Sequence, residues 1–557
     1  MTSKECELLA DLLYPNIKGT IDDLEKKFPP RILPDGAIVT RAAPSPTGDV
    51  HLGTILTYLK AYLFAKQSKG IIYLRIENTD IAREKKDATR ALPQVMEQYG
   101  IVFDEGVKKD LSEYGNYGPY LQTERKNFYH ICAKEMVRRG HAYPCFCSAE
   151  QLDAIRTEQK ALNVNTGYYG SHARCRKLTL KEIKEKLQKG EKFTLRLRAP
   201  EYNKNAMVTL VDEVRGNMVV PQNYMDEVLL KSGSEIPTYA FAHVVDDHFM
   251  RTTHVFRGDE WLATWPLHIQ MFDMLGFEKP KYIHLSPIMK KEGNSRKKLS
   301  KRDGSSLIAF DQKGYPEIAI TDYCMTISFS DFEAWREINP NAPYNEFNVQ
   351  LSKLSVSGAL LDWDKINDIS KNIIGNWTAS QLLKRLLVWA EKYDEEFFKL
   401  LELNKTFAEA ILNMDRLNPN RVRKDISKYS DISGYLGYMF SPIFDKLKKK
   451  DFEILENISG ENTKKILQDY IKVCQIPDEQ SEWFALIRQV AAKHDFATDM
   501  KAYKEDPAKF AGSVADAAGV IRVAVTGRQK TTDLFAIMKV LSKTEVIRRI
   551  NKFLNML

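Results

Sequence analysis

The chain has 557 residues, 43% hydrophobic and 28% charged, with a net charge of +8 and seven cysteines. That length calls for several domains, each able to bury a core. No apolar run approaches the ~18 residues that span a bilayer, and the charged N-terminus (Lys4, Glu5, Glu7, Asp11) is no secretory signal. An odd, scattered set of cysteines suits a reducing cytoplasm rather than a disulfide framework. The modest positive charge permits a polyanionic partner without establishing one.

Residues 1–36 read as an appended helical segment, closed by Pro29-Pro30 and Pro34-Asp35-Gly36. Ala37-Ile38-Val39-Thr40 has the apolar, β-branched character of a buried parallel strand. Pro44-Ser45-Pro46-Thr47-Gly48 must turn, and from Gly53 onward Leu56, Leu59, Leu63 and Phe64 recur at helical spacing. A strand, a sharp turn and a helix opening at His51-Leu52-Gly53-Thr54 make a place for an anion. There the first helical N–H groups lack partners and the dipole favours negative charge. His51 can donate to the same anion, and Gly53 leaves room for a base or ribose. A second strand, Ile71 to Ile76, leads into Glu77-Asn78-Thr79-Asp80. Neither Gly-x-Gly-x-x-Gly nor Gly-x-x-x-x-Gly-Lys-Ser/Thr occurs, so the common dinucleotide and NTPase loops are unsupported.

Farther on, a helix is expected from Glu124 to Arg139, and a strand from Phe193 to Arg198 that sets Arg196 and Arg198 on one face. Those guanidinium groups suit phosphate contacts or a solvated sheet face. Cys145-Phe146-Cys147, followed about 25 residues later by His172 and Cys175, offers four ligands of the kind a structural zinc takes; reduced thiols are the alternative. Ser295-Arg296-Lys297-Lys298-Leu299-Ser300-Lys301-Arg302-Asp303-Gly304 is a basic loop, which alone reads as solvated surface. Beyond Phe310 the pattern is mostly helical, with core stripes at Leu382, Leu383, Leu386, Leu387 and Ala390, and at Leu534, Ile537, Met538 and Leu541.

Arg41 to Thr54 closely resembles the His-Ile-Gly-His-type signature of class I aminoacyl-tRNA synthetases, and its Arg-x-Ala-Pro-Ser-Pro-Thr-Gly opening narrows this to the glutamyl/glutaminyl branch. Lys298 to Arg302 resembles the family's Lys-Met-Ser-Lys-Ser loop, and Arg522 to Gly527 the end of the bacterial-type glutamyl enzymes. The likeness spans about residues 37–557. It implies a Rossmann-like α/β catalytic domain (37–116 and 236–290) with an α+β acceptor-binding insertion (117–235). A stem-contact region (291–375) and an all-α anticodon-binding region (376–557) would follow. It implies ATP with Mg²⁺, L-glutamate and tRNA-Glu as reactants, tRNA-Gln as an open second acceptor, a monomer in the cytoplasm, and no membrane.

By the same resemblance, His51, Lys298 and Lys301 are the catalytic cations. The ATP site takes Pro44, Ser45, Thr47, Gly48, His51, Gly53, Thr54, Lys298, Leu299, Ser300, Lys301 and Arg302. A glutamate pocket needs a cation for the side-chain carboxylate and an anion for the ammonium group. Arg41 and Arg257 supply candidates for the first and Glu77 for the second, with Tyr239 adding a hydroxyl and Ser45 lining the pocket. His243 stands where the family has Asn or Val. Lining the pocket, it would tie glutamate affinity to pH between 6 and 7; a neutral core histidine is the alternative. Some bacterial members bind zinc through Cys-x-Cys and a later Cys-x-His; here Lys177 occupies the last position, so Cys145, Cys147 and Cys175 would need His172. Arg421, Arg423 and Lys424 are basic enough to meet tRNA, or simply solvated. A glutaminyl enzyme, a tRNA-modifying paralogue and a non-catalytic binding protein are the rivals. The helical C-terminal half, the more than 200 residues beyond the catalytic part and the intact His51, Gly53, Lys298 and Lys301 argue against each in turn.

Overall fold

A computed structural model describes all residues except 80–86, 204, 234–235, 294, 300–304 and 417–423. It divides into two compact units, Met1–Ala309 with Thr321–Asp362, and Phe310–Ile320 with Trp363–Leu557.

In the first unit, Val39–Ala42 pairs in parallel with Ile71–Leu74, which pairs in parallel with Glu105–Val107. His254–Gly258 and Lys281–Leu285 form a second parallel pair. The two pairs meet at Thr253, whose N–H donates to Val39 O at 2.9 Å and whose Oγ1 accepts from Val39 N–H at 2.8 Å. The order 105–71–39–254–281 reverses direction between Val39–Ala42 and His254–Gly258, so a crevice opens at the carboxyl ends of those two strands. Helix Leu52–Gln67 is apolar around most of its girth and buries Leu52, Ile55, Leu56, Leu59 and Leu63; Phe64 stacks on Phe256 at 5.5 Å.

The N-terminal segment belongs to this core. Helices Ser3–Leu13 and Ile21–Lys27 each open with a capping box, Thr2 with Glu5 and Thr20 with Asp23. The first buries Cys6, Leu9, Ala10 and Leu13 and packs on helix Lys126–Arg138. Arg31 then forks onto Glu105 at 2.7 and 2.9 Å with its guanidinium 3.7 Å over the Tyr117 ring, and Arg251 joins Glu25. The segment is thus stapled to both halves of the sheet.

Between those halves lies an antiparallel sheet of Ala142–Cys145, Thr194–Leu197 and Val228–Leu230. The expected helix at Glu124 starts as a tighter turn, Gln122–Arg125, before Lys126–Arg138. Arg196 and Arg198 do not present a phosphate-binding or solvated face. Arg196 is buried and donates to Asp226 O; Arg198 donates to Arg176 O and covers the Tyr143 ring at 4.9 Å. Neighbouring aromatic rings and carbonyls take the Arg196 charge inward and hold Arg198 half-buried against the Tyr143 ring.

The second unit is helical; among its described residues the only strands are the two-residue pair Phe496–Ala497 and Gly512–Ser513. Both apolar stripes lie in its core: Leu382, Leu386, Ala390, Ile537 and Met538 are all fully buried. Gly527 (φ +80°) ends helix Val514–Thr526, and a Cβ there would meet Leu447 at 3.0 Å. Among the described residues no helix is long and apolar enough to cross a membrane.

Candidate active site at the sheet's carboxyl ends

The turn after Val39–Ala42 delivers the chain to His51, the N-cap residue of helix Leu52–Gln67, in extended conformation and with no side-chain cap bond. Its Nε2 lies 3.3 Å from Thr54 Oγ1. A Cβ on Gly53 would stand 3.2 Å from the His51 ring, so the glycine serves the histidine's own seat as well as any ligand. Pro44 is buried and Ser45 exposed, with Thr47 and Gly48 between, and Pro44 O accepts from Glu77 N–H at 3.0 Å.

The chain just past the second signature, Ser305–Leu307, meets the first. Ser306 bridges His51, Leu52 N–H donates to Ser305 O at 2.9 Å, and Leu307 N–H to Val50 O at 3.1 Å. Lys298 ends the hairpin Met289–Glu292/Ser295–Lys298, its ammonium 3.2 Å from Glu260, and Leu299 N–H donates to Ile288 O. Ser300, Lys301 and Arg302 lie outside the described residues, as do Arg421 and Arg423. Lys424 donates to Asn372 Oδ1 at 2.6 Å.

Five of the six residues expected around glutamate sit at or beside the strand ends; Ser45 lies on the exposed loop. Arg41 is buried, donating through Nε to Asp247 at 3.1 Å and through Nη1 to Phe256 O at 3.3 Å. Arg75 donates to Asp247 at 2.6 Å and to Glu77 at 3.0 Å. Asp246 takes Arg125 at 2.6 Å, Gln122 at 2.9 Å and the Tyr129 hydroxyl at 2.9 Å. Three guanidinium groups thus meet three carboxylates. Burial would raise the Asp247 carboxyl, but Arg41 and Arg75 outweigh it and hold it well below its usual range. Burial, opposed by Arg75, raises Glu77.

Arg257 has a different setting. It is buried, its Nε donates to His284 Nε2 at 2.9 Å, and Nη1 lies 3.1 Å from His268 Nδ1. Its Nη2 makes no hydrogen bond of its own, the neutral Tyr239 hydroxyl stands close enough to favour its charged form, and among the described residues no carboxylate stands within ion-pair distance. Burial pulls its charged form down. Tyr239 stacks on Trp261 at 4.2 Å, and burial pushes its hydroxyl up to about 12, so it can donate at neutral pH. His243 is fully enclosed, Nε2 at 3.0 Å from Tyr282 Oη and Nδ1 at 3.0 Å from Asp247. Burial takes its pKa down to about 4, so it fits the neutral core histidine of the two readings rather than one that changes charge between pH 6 and 7.

Sequence reasoning missed Arg75, Asp212, Asp247, His268 and His284. The available signal was polarity out of place: two adjacent acids following Val244-Val245, and a histidine inside Tyr282-Ile283-His284-Leu285.

In the insertion, the sulfurs of Cys145, Cys147 and Cys175 lie within 4.8 Å of one another. Hydrogen bonds from Cys147 and Cys175 hold the Cys145 thiol far below its usual range. The Tyr168 hydroxyl is 3.2 Å from Cys147 Sγ. His172 is not in this group: its Nδ1 faces Glu158 at 3.9 Å and its ring meets Tyr169 edge-on. The short 3₁₀ turn Gly170–His172 directs it elsewhere.

A family model described as tRNA synthetases class I (E and Q), catalytic domain, matches residues 37–368, and one described as an anticodon binding domain matches 381–554. A glutamate–tRNA ligase of Clostridium perfringens is 40% identical over 550 residues, 98% of this chain and 99% of its own. One from Acetivibrio thermocellus is 41% identical over 549 residues, with the same coverage. The crystal structure of a glutamate-tRNA synthetase from Elizabethkingia anophelis matches with TM-score 0.71 at 26% identity, over 93% of this chain and all of that one. The chain belongs to the class I tRNA synthetases of the glutamate and glutamine branch.

Proposed function

We propose that the chain ligates L-glutamate to tRNA-Glu at the expense of ATP. A glutamate α-carboxylate oxygen attacks the α-phosphorus of ATP, and the bond to pyrophosphate breaks. The 2′-hydroxyl of the terminal adenosine then attacks the carbonyl carbon of the glutamyl-adenylate, AMP departs, and the hydroxyl proton passes to solvent. No protein nucleophile is needed; the chemistry rests on positioning and charge. The observation that supports glutamate over glutamine is Arg257, a buried guanidinium with an unpaired Nη2 at the strand ends. A buried cation calls for a counter-ion, which glutamate's side chain carries and glutamine's lacks.

Within this reading His51, the Gly53–Thr54 helix start, Lys298 and Lys301 meet the phosphates, accompanied by Mg²⁺. Pro44, Ser45, Thr47, Gly48, Leu299, Ser300 and Arg302 shape the same cleft. Glu77 takes the ammonium group, with Arg41 and Tyr239 beside it, while His243 supports them from behind. The enzyme is a cytoplasmic monomer. Charging assays with tRNA-Glu and tRNA-Gln transcripts, with glutamine as a parallel amino acid, test this. Glutamate on tRNA-Glu alone gives a discriminating enzyme, on both a relaxed one, and on neither refutes the proposal.

The three thiols with the Tyr168 hydroxyl fit a zinc ion better than the set with His172, since four donor atoms converge there without it. Zinc bound there would tie Cys145–Cys147 to the Cys175 turn and take no part in the ligation. Metal analysis of protein grown with zinc is expected to find one per chain; none would refute the site.

A further inference from the structure

Guanidinium groups are oriented by hydrogen-bond acceptors, and in protein interiors those are usually carboxylates, which also cancel the charge. Arg257 is oriented without being cancelled. His254–Gly258 and Lys281–Leu285 pair so that Arg257 lies opposite His284. Because Arg257 Nε donates to His284 Nε2, that nitrogen carries the lone pair and the imidazole proton sits on Nδ1. Nδ1 donates to Asp212 Oδ2 at 2.8 Å. Asp212 is itself pinned: Oδ2 accepts from the His284 backbone N–H at 2.9 Å, and Oδ1 from Val214 and Arg215 N–H at 2.9 and 2.8 Å. On the other arm, Nη1 donates to the lone pair of His268 Nδ1, and the face of Tyr282 lies 4.6 Å from Cζ. Asp212, Arg257, His268, Tyr282 and His284 are all buried.

We propose that Asp212 and His284, with His268, are positioning residues that supply Arg257 with neutral acceptors. The fork is thereby held rigid while its charge is kept for the substrate's side-chain carboxylate. Imidazole fits this task because it offers a lone pair without a net charge, and Asp212 selects the tautomer that exposes it. The carboxylate stands one imidazole ring removed from the guanidinium, too far to occupy the place of the incoming acid. A carboxamide leaves the buried cation uncompensated, so the relay sets the preference for glutamate over glutamine. The inference rests on the glutamate-ligating reading above.

The test compares neutral and charged replacements in full-length enzyme with tRNA and ATP. His284→Gln and His268→Gln keep a neutral acceptor; glutamate KM is expected to stay within about five-fold of wild type. His284→Glu and His268→Glu place a carboxylate on the fork. Glutamate KM is then expected to rise on the order of 100-fold, with preference over glutamine falling in parallel and ATP KM moving less than about two-fold. Glu variants no worse than their Gln counterparts, or parallel loss in glutamate KM, ATP KM and unfolding midpoint, would overturn the relay. Wild type in the same assay reports separately on the functional reading: if it fails to charge glutamate, that reading falls. Wild-type charging with the variants in the wrong order removes only the relay.

Discussion

Arg41 and Arg257 are both buried arginines at the carboxyl ends of adjacent strands, yet their surroundings are opposite. Arg41 shares Asp247 with Arg75 in a cluster where charges balance. Arg257 has histidine nitrogens and an aromatic face. Balanced buried charges hold a fold in one arrangement, whereas an unbalanced one is free to meet a ligand, so similar residues at similar depth can carry opposite electrostatic demands. The sharpest way to break this contrast is to unbalance the first cluster. Asp247→Ala leaves Arg41 and Arg75 facing each other without their shared counter-ion and is expected to cost about 3–5 kcal/mol in urea unfolding. Arg257→Ala is expected to leave the unfolding midpoint unchanged or raised, while kcat/KM for glutamate falls by about 10³-fold. A destabilised Arg257→Ala protein would mean that its charge is compensated after all.

His51→Ala tests the other half of the cleft. Its loss is expected to lower kcat about 10²-fold with glutamate KM little changed, read in saturating glutamate. The remaining test concerns pH. Burial holds His243 and His254 down to about 4, against 6.5 for the free side chain. The unfolded chain therefore takes up protons first as pH falls. Stability is full above pH 6.5 and declines between 6.5 and 4, by about 1.4 kcal/mol per unit for each proton taken up. Glutamate KM is expected to stay flat from pH 6 to 7, since His243 remains neutral; urea midpoints and KM measured at pH 7.5, 6.5 and 5.5 check both statements.

Reading from the sequence worked where chemistry is local. A strand, a proline-rich turn and a helix start are properties of consecutive residues, so the His51 region was legible, and the Leu382 and Leu534 stripes declared the helical core by their spacing. Arg196 and Arg198 were misread because alternation gives the face of a strand and not what covers it; Asp226 and the rings of Tyr168 and Tyr143 do that. His172 was misassigned for a related reason: nearness in sequence to Cys175 does not aim a side chain, and one 3₁₀ turn points it toward Glu158.

By itself, then, the sequence determined the family, the order of the catalytic and helical parts, and the identities of the cations at the strand ends. Only the tertiary structure decided which of those cations are already paired. Asp247 reaches Arg41 across 206 residues, and Asp212 reaches Arg257 through a histidine 72 residues beyond it. Electrostatic balance in a low-dielectric interior depends on distances of a few ångströms between groups far apart in the chain, and only the packing of the strands with helix Tyr239–Phe249 brings them there.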